Sequence, residues 1–245
     1  MLNKLINFIS EERSRFENKH NNMFAFCFGE VSRYYEYLLV IHERYRLESK
    51  EFMEITKAHQ ALIKPGTHPV TDDMMALFNK STAISTKLHL DIESFYLFAK
   101  ILLDKLAMAI EFYFGQGRGL SLASHDKLVK NFEQFSAIKS LVLDQELLTT
   151  SKKLKKDISD FRDYQITHVS YDRNARLTRG TLWDSEGNTK LLLNAIYPTE
   201  NDRQVETRLL NELITDIEDY IVKIVSFVQQ NQSKTTLELD RPNQK

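Results

Sequence analysis

DISDFRDYQITHVSYDRN, residues 157–174, is the stretch from which the rest of the chain is read. At 100° per residue it is the end of an amphipathic helix. Leu154, Ile158, Phe161 and Val169 fall on one stripe, with Arg162 at one edge and His168 near the other. Asp160, Asp163 and Thr167 point away. Arg162 and His168 then flank a buried face, about 9 Å apart along the axis at 1.5 Å per residue. A guanidinium is permanently charged and grips a phosphate through two parallel hydrogen bonds. An imidazole exchanges a proton near neutral pH. Together they suit phosphodiester cleavage. The plainer reading is an Arg and a His on a helix shoulder, each bonded to a carboxylate or a backbone carbonyl.

The segment resembles the R-x4-6-H motif of the HEPN superfamily (higher eukaryotes and prokaryotes nucleotide-binding domains), with Arg162-x5-His168 as the match. The family often places Asn, Asp or His directly after the arginine, and Asp163 stands there. The resemblance covers roughly residues 88–230 and implies a mostly α, HEPN-like helical bundle. It implies a metal-independent endoribonuclease in which the RNA 2′-hydroxyl attacks the adjacent phosphate. His168 would be the general acid/base and Arg162 the clamp on the transition-state charge. It further implies a homodimer that brings two motifs together, an RNA substrate, and an antitoxin or nucleotidyltransferase partner, in a toxin, defence or RNA-processing setting. The alternative is a non-catalytic HEPN-like module binding a nucleotide, RNA or protein. Arg13 and Arg15 also stand at permitted distances from His20, and Arg118 from His125. Only Arg162 has the acidic neighbour and the amphipathic lead-in.

Outward from the motif, the 245 residues contain 7 glycines and 4 prolines, a scarcity that favours long helices. The net charge of −1 gives no global pull toward nucleic acid, which leaves a local patch as the route to RNA. From Lys139 to Gly180 there are nine Lys/Arg against six Asp/Glu, densest at KKLKK (152–156), which reads first as a solvated helix face. One cysteine, Cys27, excludes an internal disulfide and a cysteine-based zinc site and reads as core filling. No metal or cofactor is expected. The apolar run Phe95–Phe114 carries Lys100, Asp104, Lys105 and Glu111, so it reads as a buried helix rather than a membrane span, and the start lacks a secretory h-region. A cytoplasmic protein is expected.

In chain order, an amphipathic helix is expected from Leu2 to about His20, broken at Asn21-Asn22. A second runs from Met23 to about Ile63 and forms a long antiparallel hairpin with its neighbour or breaks near Gly29. Tyr34, Tyr35 and Tyr37 are helix-interface tyrosines or, alternatively, stacking platforms for bases. Lys64–Pro69 is a loop. Thr71 caps a short helix, and the central helix follows at about Thr86–Phe114. Glu93, Lys100, Asp104 and Glu111 form one polar stripe on it. The stripe faces solvent or, as the resemblance suggests for an early-helix acid, faces Arg162, with Glu93 and Asp104 as supporting carboxylates. GQGRG (115–119) is a helix end and loop, Ser124 caps a helix His125–Ile138, and the motif helix runs from about Asp144 past His168. A β-hairpin is expected at 176–197, then a helix at about 201–230. This divides into an N-terminal helical region (1–80), the HEPN-like domain with the inserted hairpin (81–230) and a polar, frayed tail (231–245).

Overall fold

Few helix breakers give few, long helices. The computed structural model describes residues 2–63, 70–160, 162, 176–183, 189–196, 203–206 and 209–240, the strands by their backbone alone. The chain is mostly helical, with helices α1 (Leu2–Arg13), α2 (Asn18–Leu62), α3 (Asp72–Phe114), α4 (His125–Lys139), α5 (Gln145–Leu154) and α6 (Leu210–Gln230). Strands β1 (Arg176–Trp183), β2 (Thr189–Ile196) and β3 (Arg203–Glu206) lie between α5 and α6. They pair antiparallel in the order β1-β2-β3, with Arg176 opposite Ile196 and Ala195 opposite Arg203. Among the described residues no helix is long and apolar enough to cross a membrane.

Several boundaries differ from expectation for local reasons. The expected break at Asn21-Asn22 lies inside α2; the chain turns at residues 14–17 instead. Asn21 holds that turn, accepting from Arg13 Nε at 3.0 Å and donating through Nδ2 to the Arg13 carbonyl at 2.8 Å. Gly29 breaks nothing, because one glycine costs a helix only about 1 kcal/mol. The short helix and the central helix are one, α3, whose sequence contains no Gly or Pro. Thr71 caps it at Met74 N–H, 3.3 Å away, and the proposed boundary at 80/81 lies within it. The final helix starts at Leu210 rather than 201, because 203–206 form β3.

Backbone contacts group the chain into two units: Met1–Leu38, Tyr96–Thr167 and Ile214–Lys245 in the first, Leu39–Phe95 and His168–Leu213 in the second. In the first, α2 and α3 run antiparallel, with Phe24 against Tyr113, Glu30 against Lys105 and Tyr34 against Phe98. Phe8, Phe24 and Phe28 stack where α1 meets α2, and Phe114 and Phe132 both meet Phe227 of α6 edge-on. Such offset ring pairs add about 1 kcal/mol beyond the area they bury. Tyr35 is buried and bonds Glu218, so it is an interface tyrosine rather than a stacking platform. Cys27 is only half-buried, not core. In the second unit α2 and α3 are also paired: Arg44 grips the buried Asp91 through two nitrogens, and Lys80 bonds Glu51 at 3.0 Å.

Residues 231–240 are tied down rather than frayed. Asn231 is buried, accepts from Val142 N–H at 2.7 Å and donates to the Val142 carbonyl at 2.9 Å. Thr236 N–H bonds the Tyr113 carbonyl, and Asp240 N–H the Arg15 carbonyl. Gly115 ends α3 at φ +72°, and a Cβ there would stand 3.0 Å from Thr236 Oγ1.

Candidate functional site

The motif helix begins as its sequence suggests. Asp144 caps α5, its carboxylate accepting from Glu146 N–H at 2.9 Å. After Leu154 the winding widens into a π-helical segment, Lys155–Asp160, and Arg162 has the same winding. The 100° wheel therefore holds only to Leu154. Ile158 is fully buried as that wheel placed it, but so is the adjacent Ser159. Arg162 is half-buried. Asp163 and His168, with the Phe161 and Val169 of the expected stripe, lie outside the described residues.

The structure gathers a polar cluster in the first unit at the foot of this segment. Lys100 of α3 is 3% exposed, so the Glu93–Lys100–Asp104–Glu111 stripe is not a solvent strip at that point. Its ammonium donates to Asp104 at 2.9 Å and to Asp126 at 2.7 Å. Asp104 also accepts from His125 N–H at 2.8 Å, beside the Ser124 cap on Lys127 N–H. One carboxylate thus joins α3 to the positive end of α4. Asp126 reaches the first π-helical residue, Lys155, at 3.9 Å. Burial pushes Asp126 upward, but the hydrogen bond from Lys100 and the charges of Lys100 and Lys155 outweigh it and hold it below the usual carboxylate range. Glu93 is half-buried on the α3 portion that belongs to the second unit.

His125 sits behind this ion pair, fully buried, with Nε2 3.2 Å from the Tyr220 hydroxyl, itself 3.2 Å from Ser151 Oγ. Nδ1 has no partner among the described residues. Burial, reinforced by the nearby Lys100 charge, drives the imidazole down to about 3, so the ring is neutral at physiological pH. Burial also raises the Tyr220 hydroxyl well above its ordinary value. The other rival histidine, His20, accepts from Glu238 N–H at 2.8 Å. All three rival Arg–His spacings therefore end on histidines engaged in holding the fold.

Sequence reasoning missed the Lys100–Asp126 pair and the His125–Tyr220 contact. A Lys in an otherwise apolar helix, followed 26 residues later by an acid at the start of another helix, is the signal for it, and neither reading of the stripe, toward solvent or toward Arg162, pairs it with Asp126. In KKLKK the lysines 152, 153 and 156 are exposed, as expected of a solvated face; Lys153 pairs with Asp216 at 2.9 Å and the half-buried Lys155 meets Asp126. Among the described residues no group of three His, Cys, Asp or Glu is arranged to hold a metal ion. Comparison with protein-family models, curated proteins and solved structures returned no match.

Proposed function

We propose that the chain is a HEPN-type, metal-independent endoribonuclease, with Arg162 as phosphate clamp and His168 as general acid/base. The observation that carries this reading is the position of Arg162, half-buried on a π-helical continuation of α5 and leading directly into Asp163 and His168. π-turns inside helices are rare and concentrate at functional sites. The histidines of the rival spacings, by contrast, are occupied by Tyr220 and by the backbone of Glu238. In the reaction His168 removes the 2′-hydroxyl proton and the oxygen attacks the adjacent phosphorus. The 5′-oxygen leaves with a proton, giving 2′,3′-cyclic phosphate and 5′-hydroxyl ends. The nucleophile belongs to the substrate, so no metal is needed to make one. The reading includes a HEPN-like bundle with the strands between α5 and α6 as its insertion, a homodimer, and an antitoxin or nucleotidyltransferase partner. The test is cleavage of mixed RNA with chelator present, beside Arg162→Ala and His168→Ala.

A second reading, a non-catalytic HEPN-like module that binds a nucleotide, RNA or protein, is favoured by one observation. The lysines that would form an RNA groove beside the motif, Lys153 and Lys155, already face carboxylates. It predicts binding without turnover.

A further inference from the structure

In the second unit, four charged side chains make a short ladder between α2 and α3. Arg44 and Glu48 stand one turn apart on α2, and Lys87 and Asp91 one turn apart on α3. Arg44 bonds Asp91 through Nε at 2.9 Å and through a second nitrogen. Lys87 Nζ lies 4.0 Å from Glu48 Oε1. These two rungs leave Glu48 and Asp91 on the diagonal, acid beside acid. The cations are on the outside, with side chains 51% and 62% exposed for Arg44 and Lys87. The acids are inside, at 15% for Glu48 and 1% for Asp91.

The rungs occupy three of the four carboxylate oxygens. Both Asp91 oxygens accept from Arg44, and Glu48 Oε1 faces Lys87. Glu48 Oε2 is buried and has no hydrogen-bond partner among the described residues. An ionised oxygen there has lost water without gaining a donor, and it faces a second negative charge. A proton on Oε2 removes both costs. The O–H then donates to Asp91, whose oxygens keep lone pairs beyond those that Arg44 uses. Burial, the Asp91 charge and the hydrogen bond to Asp91 push the Glu48 carboxyl above its usual range, against the opposing charges of Lys87 and Arg44.

We propose that Glu48 and Asp91 share a proton, and that this carboxyl pair is a pH-sensitive clasp that tightens the α2/α3 hairpin on acidification. The clasp matters because the packing around it is thin. Between Tyr45 and Ile55, α2 buries Ser49 and no apolar side chain. Segments with few buried apolar contacts open locally at low cost, so one polar contact shifts their opening. A carboxyl raised by the fold lends stability that is full below its ordinary 4.5 and is lost as pH rises through its folded value. His125 has the opposite sign, since its lowered value costs stability as pH falls. The hairpin and the first unit therefore respond to acid in opposite directions. RNA cleavage is not a readout of the clasp, so either proposal can fail alone.

The test is a carboxyl-carbon NMR titration of Glu48 in the full chain, with amide hydrogen exchange across the same pH range. Wild type is compared with Glu48→Gln and with Glu43→Gln, an exposed acid on the same helix, each checked for folding by far-UV circular dichroism. The expected midpoint for Glu48 lies above 4.5. Hairpin amides in 39–62 and 72–95 are expected to lose about tenfold protection for each pH unit of that excess. Glu48→Gln keeps a donor to Asp91 and cannot ionise, so its hairpin stays protected throughout, whereas Glu43→Gln follows wild type. A wild-type midpoint at or below 4.5 overturns the proposal, because Lys87 and Arg44 then hold Glu48 as an anion. That titration needs no variant, so a misfolded substitution does not shield the idea. Glu48→Gln with the wild-type pH dependence also overturns it, as does a Glu48→Gln hairpin less protected than wild type at every pH.

Discussion

His125 illustrates how far a residue's role can lie from its sequence context. As the first residue after the Ser124 cap it stands at a helix start, and in spacing it imitates the motif. In the fold it is sealed between Lys100 and Tyr220 with Nδ1 unpartnered. Its folded pKa, about 3, lies below the ordinary 6.5, so the unfolded chain takes up the proton first as pH falls. Stability is therefore lost progressively from 6.5 down toward 3, by about 2 kcal/mol on reaching about pH 5. Urea unfolding at neutral and acid pH is expected to show this slope, and His125→Phe to flatten it. A wild-type stability that does not change between those pH values contradicts the assignment.

Lys100 makes a second residue-level case. Its two carboxylate partners are partly solvated and its own ammonium is not. Removing the cation by Lys100→Met lets both acids rehydrate, for a loss of about 2 kcal/mol. Removing both acids by Asp104→Ala with Asp126→Ala strands a buried charge and costs about 3–5 kcal/mol. Denaturant midpoints giving the reverse order would mean that Lys100 reaches water in solution. Its pairing was not legible in the sequence, because a heptad-spaced polar stripe looks the same whether it meets solvent or another helix's acids.

At the scale of the element, helix existence was legible and helix ends were not. α2 and the later part of α3, about Thr86–Phe114, were legible as long helical stretches, and Thr71, Ser124 and Gly115 marked ends by their cap chemistry. Asn21 misled because its side chain caps α1 from within α2, so the residue type was right and the location was not. The π-helical winding after Leu154 has no residue-type signal at all. The segment after α6 read as a polar tail since its anchors are backbone groups and one asparagine. Asn231→Ala removes three hydrogen bonds, to Val142 N–H, the Val142 carbonyl and the Phe227 carbonyl, and leaves buried groups unpaired. It is expected to cost about 3 kcal/mol, and truncation after Gln230 more. Thermal melts unchanged by either would show that residues 231–240 contribute nothing to stability.

At the scale of the whole molecule, the Arg–His spacings of this long-helical chain differ in what the described residues show of them. His20 and His125 are engaged by the fold, and Arg162, the arginine of the remaining spacing, has π-helical winding. The functional reading rests on that contrast. The sequence pattern alone could not draw it, because all four Arg–His spacings fit the same loose motif. If Arg162 and His168 act on RNA, they are separable from stability, each alanine costing on the order of 1 kcal/mol or less. Replacing His20 should leave cleavage intact in protein that remains folded.

The most direct measurement is the rate and end chemistry of RNA cleavage by purified protein with chelator present, for wild type, Arg162→Ala and His168→Ala, each shown folded by circular dichroism. The account predicts 2′,3′-cyclic phosphate ends from wild type and loss of most activity in both variants. Cleavage by His168→Ala at the wild-type rate, or activity that disappears with chelator, would contradict it.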